Sequence, residues 1–324
     1  MSELVSVIIP CKNAALWLGD AIESCLNQTW PNIEIIVVDN GSTDESMAVA
    51  RRYHDMSIKI FECKRIGASA ARNVGLKYAR GALLQFLDAD DVLDRDKIRA
   101  QAERLEQLPK GIIASGAWSS FRHAPAEAVF FPEQVWRDCK PEEFLIWSWL
   151  GGGMMPPLVW LTPRPLIEIA GPWNEELSVN DDGEFFSRVI LASAGIAFCE
   201  GAQGFYRKTP DITLSKRRDT EALTSLFKAA ELSCKHLLEH CSSESALSAC
   251  ACHFQSVIYN LYPHLPELVE IAERRVFELG GSELKIGGGE IFKFISTCFG
   301  WKFARRCQLY WQAIRRPSLE NAGI

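Results

Sequence analysis

The stretch ALLQFLDADDVLDRDK, residues 82 to 97, opens with apolar residues suited to a strand covered on both faces. It then releases Asp88, Asp90, Asp91, Asp94 and Asp96 in quick succession. Carboxylates this close repel one another and raise one another's pKa, so they point to a counter-charge supplied from outside the chain. In an open α/β sheet, ligands bind outside the carboxyl ends of the strands, which is where this run begins. A hard divalent cation, Mn²⁺ or Mg²⁺, suits the place, because it takes few carboxylates and completes its shell with water and phosphate oxygens. Asp88 and Asp90 are the expected pair, since alternate residues leaving a strand point the same way. Asp91, Asp94 and Asp96 read as caps for the helix that follows. An EF-hand is excluded: counted from Asp88, its sixth and twelfth positions hold Leu93 and Arg99 instead of Gly and Glu. An aspartyl-nucleophile phosphatase would carry its Asp-x-Asp after the first strand, and this is the fourth.

Working outward, LVSVIIP (4–10), IEIIVVD (33–39) and SIKIFEC (57–63) are further short β-branched strands. Helical patterns separate them at 14–27, 43–54 and 68–80, the last closed by Gly81, and another follows at 94–108. Repeated β-α-β units predict a mainly parallel sheet with helices on both faces. Beyond residue 110, GIIASGAW (111–118) and AVFF (128–131) read as strands, PEEFLIWSWL (141–150) and DDGEFFSRVILASAG (181–195) as helices, and IAFCEGAQGFYRK (196–208) as edge strands. From about Thr220 the pattern is almost entirely helical.

Composition narrows the function. The chain has 324 residues, 48% of them hydrophobic, and a formal charge of −6, which argues against nucleic acid as a partner. The opening MSELVSVIIPCKN lacks a basic segment followed by a long apolar run, and no stretch approaches ~18 uninterrupted apolar residues. Eleven cysteines without a C-x-x-C predict reduced, mostly buried thiols in a cytoplasmic protein. Cys234, His236, His240, Cys241, Cys250, Cys252 and His253 could supply zinc, but their spacings match no zinc pattern, and two packed helices explain them more simply. Residues 293–316 carry Lys293, Lys302, Arg305, Arg306, Arg315 and Arg316 with no acid, interleaved with Phe, Trp and Tyr. Such a segment is either a packing helix with solvated bases or a peripheral contact with an anionic membrane.

The other strand ends supply matching parts. Asp39 ends the second strand and could accept the N3–H of a uracil. Pro10 ends the first, where the backbone turns toward a ligand. Arg72 could reach a base or phosphate. Asp44 reads as a helix-start residue. No G-x-G-x-x-G follows the first strand, which argues against a nicotinamide enzyme.

Residues 5–46 (VSVIIPCKN through VVDNGSTDES), GASAARNVGLKYARGALLQFLDADD (67–91) and GPWNEELSVNDDGEFFSRV (171–189) resemble, in order, the blocks of the inverting glycosyltransferases of family 2. The resemblance implies an α/β GT-A nucleotide-diphospho-sugar transferase fold, with a Rossmann-like mainly parallel sheet and, here, a C-terminal helical region. It implies a domain at 1–215, divided into a nucleotide-binding half (1–110) and an acceptor-binding half (111–215), before a helical region at 216–324. Pro10, Asp39, Arg72 and Asp88 would surround the nucleotide, Asp90 would ligate Mn²⁺ or Mg²⁺, and Asp182 would be the catalytic base. Trp173, Asn174 and Asp181 are expected on the acceptor side, with Trp147, Trp149 and Trp160 as weaker platforms. The donor would be a nucleotide sugar, uridine-linked before thymidine-linked. The acceptor would be a saccharide or lipid-linked saccharide of polysaccharide or lipopolysaccharide assembly, at the inner face of the cytoplasmic membrane. Gly183 stands where this family commonly has a bulky residue, and Thr209 where a histidine is frequent. A nucleotidyltransferase or a non-catalytic nucleotide binder of like fold are the rival readings.

Overall fold

The computed structural model describes residues 2–53, 58–209, 217–284 and 287–315, and the β-branched runs form its centre. Strands β1 (Val5–Cys11), β2 (Ile33–Asp39), β3 (Ile58–Glu62) and β4 (Leu83–Phe86) lie in the order β3-β2-β1-β4, with a short antiparallel β7 (Thr162–Pro163) beside β4. The first four pair in parallel: Val5 lies opposite Ile33 on one side and Leu83 on the other, and Cys11 opposite Asp39. The middle of β1 and β2 is buried throughout, which is why their apolar runs are continuous rather than alternating. Helices α1 (Leu18–Leu26), α2 (Ser46–Arg51) and α3 (Ala68–Tyr78) make the crossovers. α3 lies hard against β1, since a Cβ on Gly75 would sit 2.3 Å from Ile8 Cγ2. Away from the strands' carboxyl ends, buried Glu34 accepts from Ser6 Oγ at 2.6 Å, Lys59 Nζ at 2.9 Å and the Arg80 N–H at 2.7 Å. Burial alone would raise its pKa, but these bonds bring it down to about 2.

A second sheet of three strands runs β5-β8-β6, from β5 (Val92–Leu93), β8 (Gly195–Arg207) and β6 (Ile112–Phe121). β8 was expected at an edge. It lies in the middle instead, parallel to β6 and antiparallel to β5, where Val92 faces Phe205. Residues 128–131 are not a strand. The Val129 carbonyl accepts the Ser119 hydroxyl, and Phe130 meets Phe205 edge-on at 5.9 Å, so this apolar run packs without a ladder. Helices α4 (Lys97–Glu106), α5 (Pro141–Trp147), α6 (Arg164–Ala170) and α7 (Asp181–Ala192) complete the α/β portion.

The chain then forms α8 (Thr220–His240), α9 (Glu244–Leu261), α10 (Pro266–Glu278), α11 (Glu290–Phe299) and α12 (Trp301–Arg315). The division expected at 215/216 falls outside the described residues, as does Arg316. Asp219 and Ser243 cap α8 and α9 through the N–H groups of Ala222 and Ala246. One buried apolar cluster continues from β1 to Val276 in α10. Cys234 and Cys250 pack between α8 and α9, each sulfur 3.9 Å from the other's carbonyl oxygen. Nearby, His236 faces Glu184 at 3.5 Å, His240 faces Glu142 at 3.7 Å, and His253 stacks on Trp149 at 4.6 Å. These groups point to different partners, so the cysteines and histidines do not converge on a common centre. Among the described residues, no helix is long and apolar enough to cross a membrane.

Candidate active site

The carboxyl ends of β2, β1 and β4 stand side by side and carry Asp39, Pro10 and, just past β4, Asp88. Asp39 accepts the Ser42 N–H at 3.0 Å on one oxygen. The β1 and β2 loops are tied together there: Asn13 Oδ1 accepts the Thr43 N–H at 2.7 Å, and Asp44 accepts the Ala15 N–H at 3.0 Å. Asp44 also accepts from Ser46, so it serves the start of α2 as expected.

The aspartate run is not an extension of β4, which ends at Phe86. Residues 88–91 form a turn in which the Asp91 N–H donates to the Asp88 carbonyl at 3.1 Å. Strand alternation therefore does not orient this pair. Nor is Asp91 a helix cap. It is 1% exposed and accepts the backbone N–H of Arg207 at 2.9 Å, so it fastens the turn to β8. Arg207 completes the latch: its Nε donates to the Asp90 carbonyl at 2.8 Å, its Nη2 to Asp20 at 2.7 Å, and its guanidinium lies 4.5 Å from the centre of the Phe121 ring.

Arg72 was expected at a base or phosphate. It is instead 4% exposed and donates through Nη2 to Asp88 at 2.8 Å and through Nη1 to Asp181 at 2.9 Å. Asp181 also accepts the Ser69 hydroxyl at 2.7 Å. Arg72 is thus a buried bridge that joins the strand end to the start of α7, rather than an exposed side chain open to a nucleotide. The same bonds take Asp181 away from an acceptor. Trp173 is no exposed sugar platform either: it is 1% exposed, stacked on Phe185 at 3.9 Å, with the Arg72 guanidinium 4.4 Å from its ring centre. Asn174 Oδ1 is used locally, accepting the Glu176 N–H at 3.0 Å. Trp160 is buried, and Trp149 is stacked on His253.

Asp182, next to the clamped Asp181, is half-buried at the first turn of α7. Burial, then Asp181, pushes its carboxyl up to about 6, with Asp88 adding to the rise and Arg72 opposing it. Asp90 is also pushed up to about 6, by burial and then by Asp88. Burial pushes the Tyr206 phenol up to about 12, reinforced by the fields of Asp91, Asp90, Asp88 and Asp182. All four carboxylates therefore lie within electrostatic reach of this one phenol. Asn180 precedes α7 with φ 59°, and its Oδ1 would lie 2.4 Å from a Cβ at Gly183, so the small residue and the asparagine fit together.

These residues fit a hard dication. Asp90 is disfavoured as an isolated anion, and Arg207 relieves little of this because it bonds the Asp90 carbonyl rather than the carboxylate. Among the described residues no cluster of three or more His, Cys, Asp or Glu forms a cage. One or two carboxylates are the donor set of an Mn²⁺ or Mg²⁺ whose remaining ligands are water and phosphate.

Arg207, Asp20, Ser69 and Tyr206 are the residues that sequence reasoning did not single out, and Asp91 reads from sequence only as a cap. Asp91 had a local signal, since a half-buried Val92 and a buried Leu93 follow it directly. The others are recognisable only from contacts far apart in the chain.

Residues 6–127 match the model of the family described as Glycosyl transferase family 2. An uncharacterized glycosyltransferase of Haemophilus influenzae is 42% identical over 101 residues, covering 30% of this chain and 40% of that protein. Glycosyltransferase GlyA of Streptococcus pneumoniae is 32% identical over 133 residues, covering 40% of this chain and 19% of that protein. The chain thus matches less than half the length of either relative. Among solved structures, S. aureus TarS 1–349 in complex with UDP-GlcNAc has a TM-score of 0.62 at 15% identity, covering 95% of this chain and 92% of that one. Mannosyltransferase PcManGT from Pyrobaculum calidifontis, in complex with GDP-Man and Mn²⁺, has a TM-score of 0.53 at 17% identity, covering 96% and 88%. Both likenesses are of fold: the α/β GT-A architecture, with helices after it.

Proposed function

We propose that this chain, whose residues 6–127 form a glycosyl transferase family 2 segment, moves a sugar from a nucleotide sugar to an acceptor hydroxyl with inversion. The observation that carries this reading is the Arg72 bridge, which binds Asp88 at 2.8 Å and Asp181 at 2.9 Å and so brings the start of α7, with Asp182 pushed up to about 6, to the aspartates after β4. A carboxylate with that proton affinity is ionised at neutral pH and is a stronger base than an ordinary aspartate. Asp182 takes the proton of the acceptor hydroxyl as its oxygen bonds to the anomeric carbon. The bond from that carbon to the diphosphate breaks on the opposite face, and the nucleoside diphosphate leaves with the electron pair.

Asp39 accepts the N3–H of the base on the oxygen that Ser42 does not use, which favours uridine, with thymidine next. Pro10 and Asp88 border the nucleoside, while Arg72 positions Asp88 and Asp181 rather than touching the donor. Asp90, assisted by Asp88, would hold Mn²⁺ or Mg²⁺. When bound, such a cation supplies Lewis-acid stabilisation of the leaving diphosphate. The UDP-GlcNAc and the GDP-Man with Mn²⁺ seen in the two structural neighbours support this donor and metal class. The catalytic unit is residues 1–215, with 1–110 serving the nucleotide and 111–215 the acceptor. The helices α8 to α12 follow it. The acceptor is a saccharide or lipid-linked saccharide of cell-surface polymer assembly, reached from the cytoplasmic side.

The test is product analysis with a panel of nucleotide sugars and Mn²⁺. Nucleoside diphosphate together with a glycosylated acceptor, or with free sugar from slow donor hydrolysis, is the expected result. Release of pyrophosphate would mark a nucleotidyltransferase, and UDP binding without either product a non-catalytic protein.

A further inference from the structure

We infer that α11 and α12 present a docking face for a lipid bilayer bearing anionic headgroups. The helices are fixed to the body on one side. Phe292 and Ala304 are buried, the Trp301 ring meets Tyr259 at 4.8 Å and Tyr262 at 5.3 Å, and Lys302 pairs with Glu273 at 2.6 Å. Away from these contacts the helices carry open apolar side chains: Ile291 is 79% exposed and Phe303 50%, with Phe294, Phe299, Tyr310 and Trp311 between these values. Single exposed apolar residues are ordinary, but six on two consecutive helices are not. The two helices meet at Gly300, whose φ of 83° makes the turn, and Phe299 and Phe303 lie 5.5 Å apart across it.

Charge selects the occupant. Glu290 pairs with Lys293 at 2.9 Å and Lys302 is held by Glu273, but from Ile291 to Leu319 the chain has no Asp or Glu, and Lys293 and Arg306 stand exposed on the two helices, with Arg305 partly so, in a protein whose formal charge is −6. A second copy using the same face would set these bases against their own counterparts, because a two-fold interface is self-complementary. A bilayer with anionic lipids satisfies both features together, taking aromatic and aliphatic side chains below the headgroups and bases among them. No described helix can span the membrane, so the contact is peripheral. This inference does not depend on the proposed reaction, and it holds whether or not the protein transfers sugar.

Flotation of the full chain with phosphatidylcholine vesicles, and with the same vesicles containing phosphatidylglycerol, tests it. Stronger binding to the anionic vesicles, weakened by salt, is expected. Lys293→Gln with Arg306→Gln should lower partitioning roughly thirtyfold, from about fivefold for each base removed. Phe294→Ser with Trp311→Ser should also release the protein, while circular dichroism and melting in solution stay at wild-type values because both side chains are exposed. Absence of vesicle binding, equal binding to neutral and anionic vesicles, or full binding by either double variant would overturn the inference. So would a concentration-dependent dimer in light scattering that Phe294→Ser dissolves, which would assign the face to a second copy.

Discussion

Replacing Arg72 by methionine separates a clamp from a ligand contact. The side chain is 5% exposed and binds Asp88, 32% exposed, at 2.8 Å and Asp181, 13% exposed, at 2.9 Å. Removing one partner of a buried ion pair costs about 3–5 kcal/mol, because a charge is left without compensation. Asp88 is open enough to regain part of its hydration, which places the loss at the lower end, about 3 kcal/mol. For a chain of this length that is a fall in melting temperature on the order of 6 °C. The assay is thermal melting by circular dichroism without nucleotide or metal, extended to a double-mutant cycle with Asp181→Asn. On its own Asp181→Asn should destabilise; in the Arg72→Met background it should restore stability by removing the orphaned carboxylate. Arg72→Lys should recover only part of the loss, since a point charge cannot bridge two carboxylates as the planar fork does. If Arg72→Met melted like the wild type and lost only UDP affinity, the clamp would be wrong and Arg72 would be a donor contact.

Asp182→Asn should lower turnover by on the order of 10²-fold or more in a donor-consumption assay. In the wild type kcat/KM should fall as pH drops below about 6, because the raised pKa means that Asp182 gains its proton there and stops acting as a base. Asp90→Ala should reduce turnover by a similar order, ~10²-fold, and abolish the Mn²⁺-dependent gain in UDP affinity seen by calorimetry. Arg207→Met should also weaken that Mn²⁺-dependent gain, without touching Asp90 itself. Asp20→Asn should have a smaller effect, because the Asp20 side chain is 58% exposed. Glu34, held at about 2, stabilises the fold above its unfolded pKa near 4.5 and loses that contribution as pH falls toward 2. Glu34→Gln should therefore be destabilised most at neutral pH and approach the wild type in acid melts.

The parallel sheet was legible because its strands are buried on both faces, which writes β-branched residues into consecutive positions. The carboxylates at the strand ends were legible for the complementary reason: nothing in a core wants them. What escaped notice depends on contacts across the chain. That the first sheet ends at Phe86, and that Val92 and Leu93 pair with a strand over a hundred residues later, has no local signature. Trp173 and Arg72 look alike from sequence whether they face a ligand or each other. Their burial is decided by Phe185, Asp88 and Asp181, brought in by α7. Residues 196–208 read as edge strands, and nothing local to them signalled that a two-residue strand would cover the far side of β8.

The Arg207 latch and the Arg72 clamp have a consequence for modular exchange. Both reach from the family 2 segment to side chains beyond residue 127, as do the bonds from Asn73 to the Trp173 backbone and Glu175. A fragment stopping near that point would keep Asp39, Asp88 and Asp90 yet lack the parts that seat them. A chimera joining this segment to a relative's downstream half would keep the Asp88–Asp91 turn and Arg72 seated only if the foreign half offered an acid where Asp181 stands and an arginine where Arg207 does.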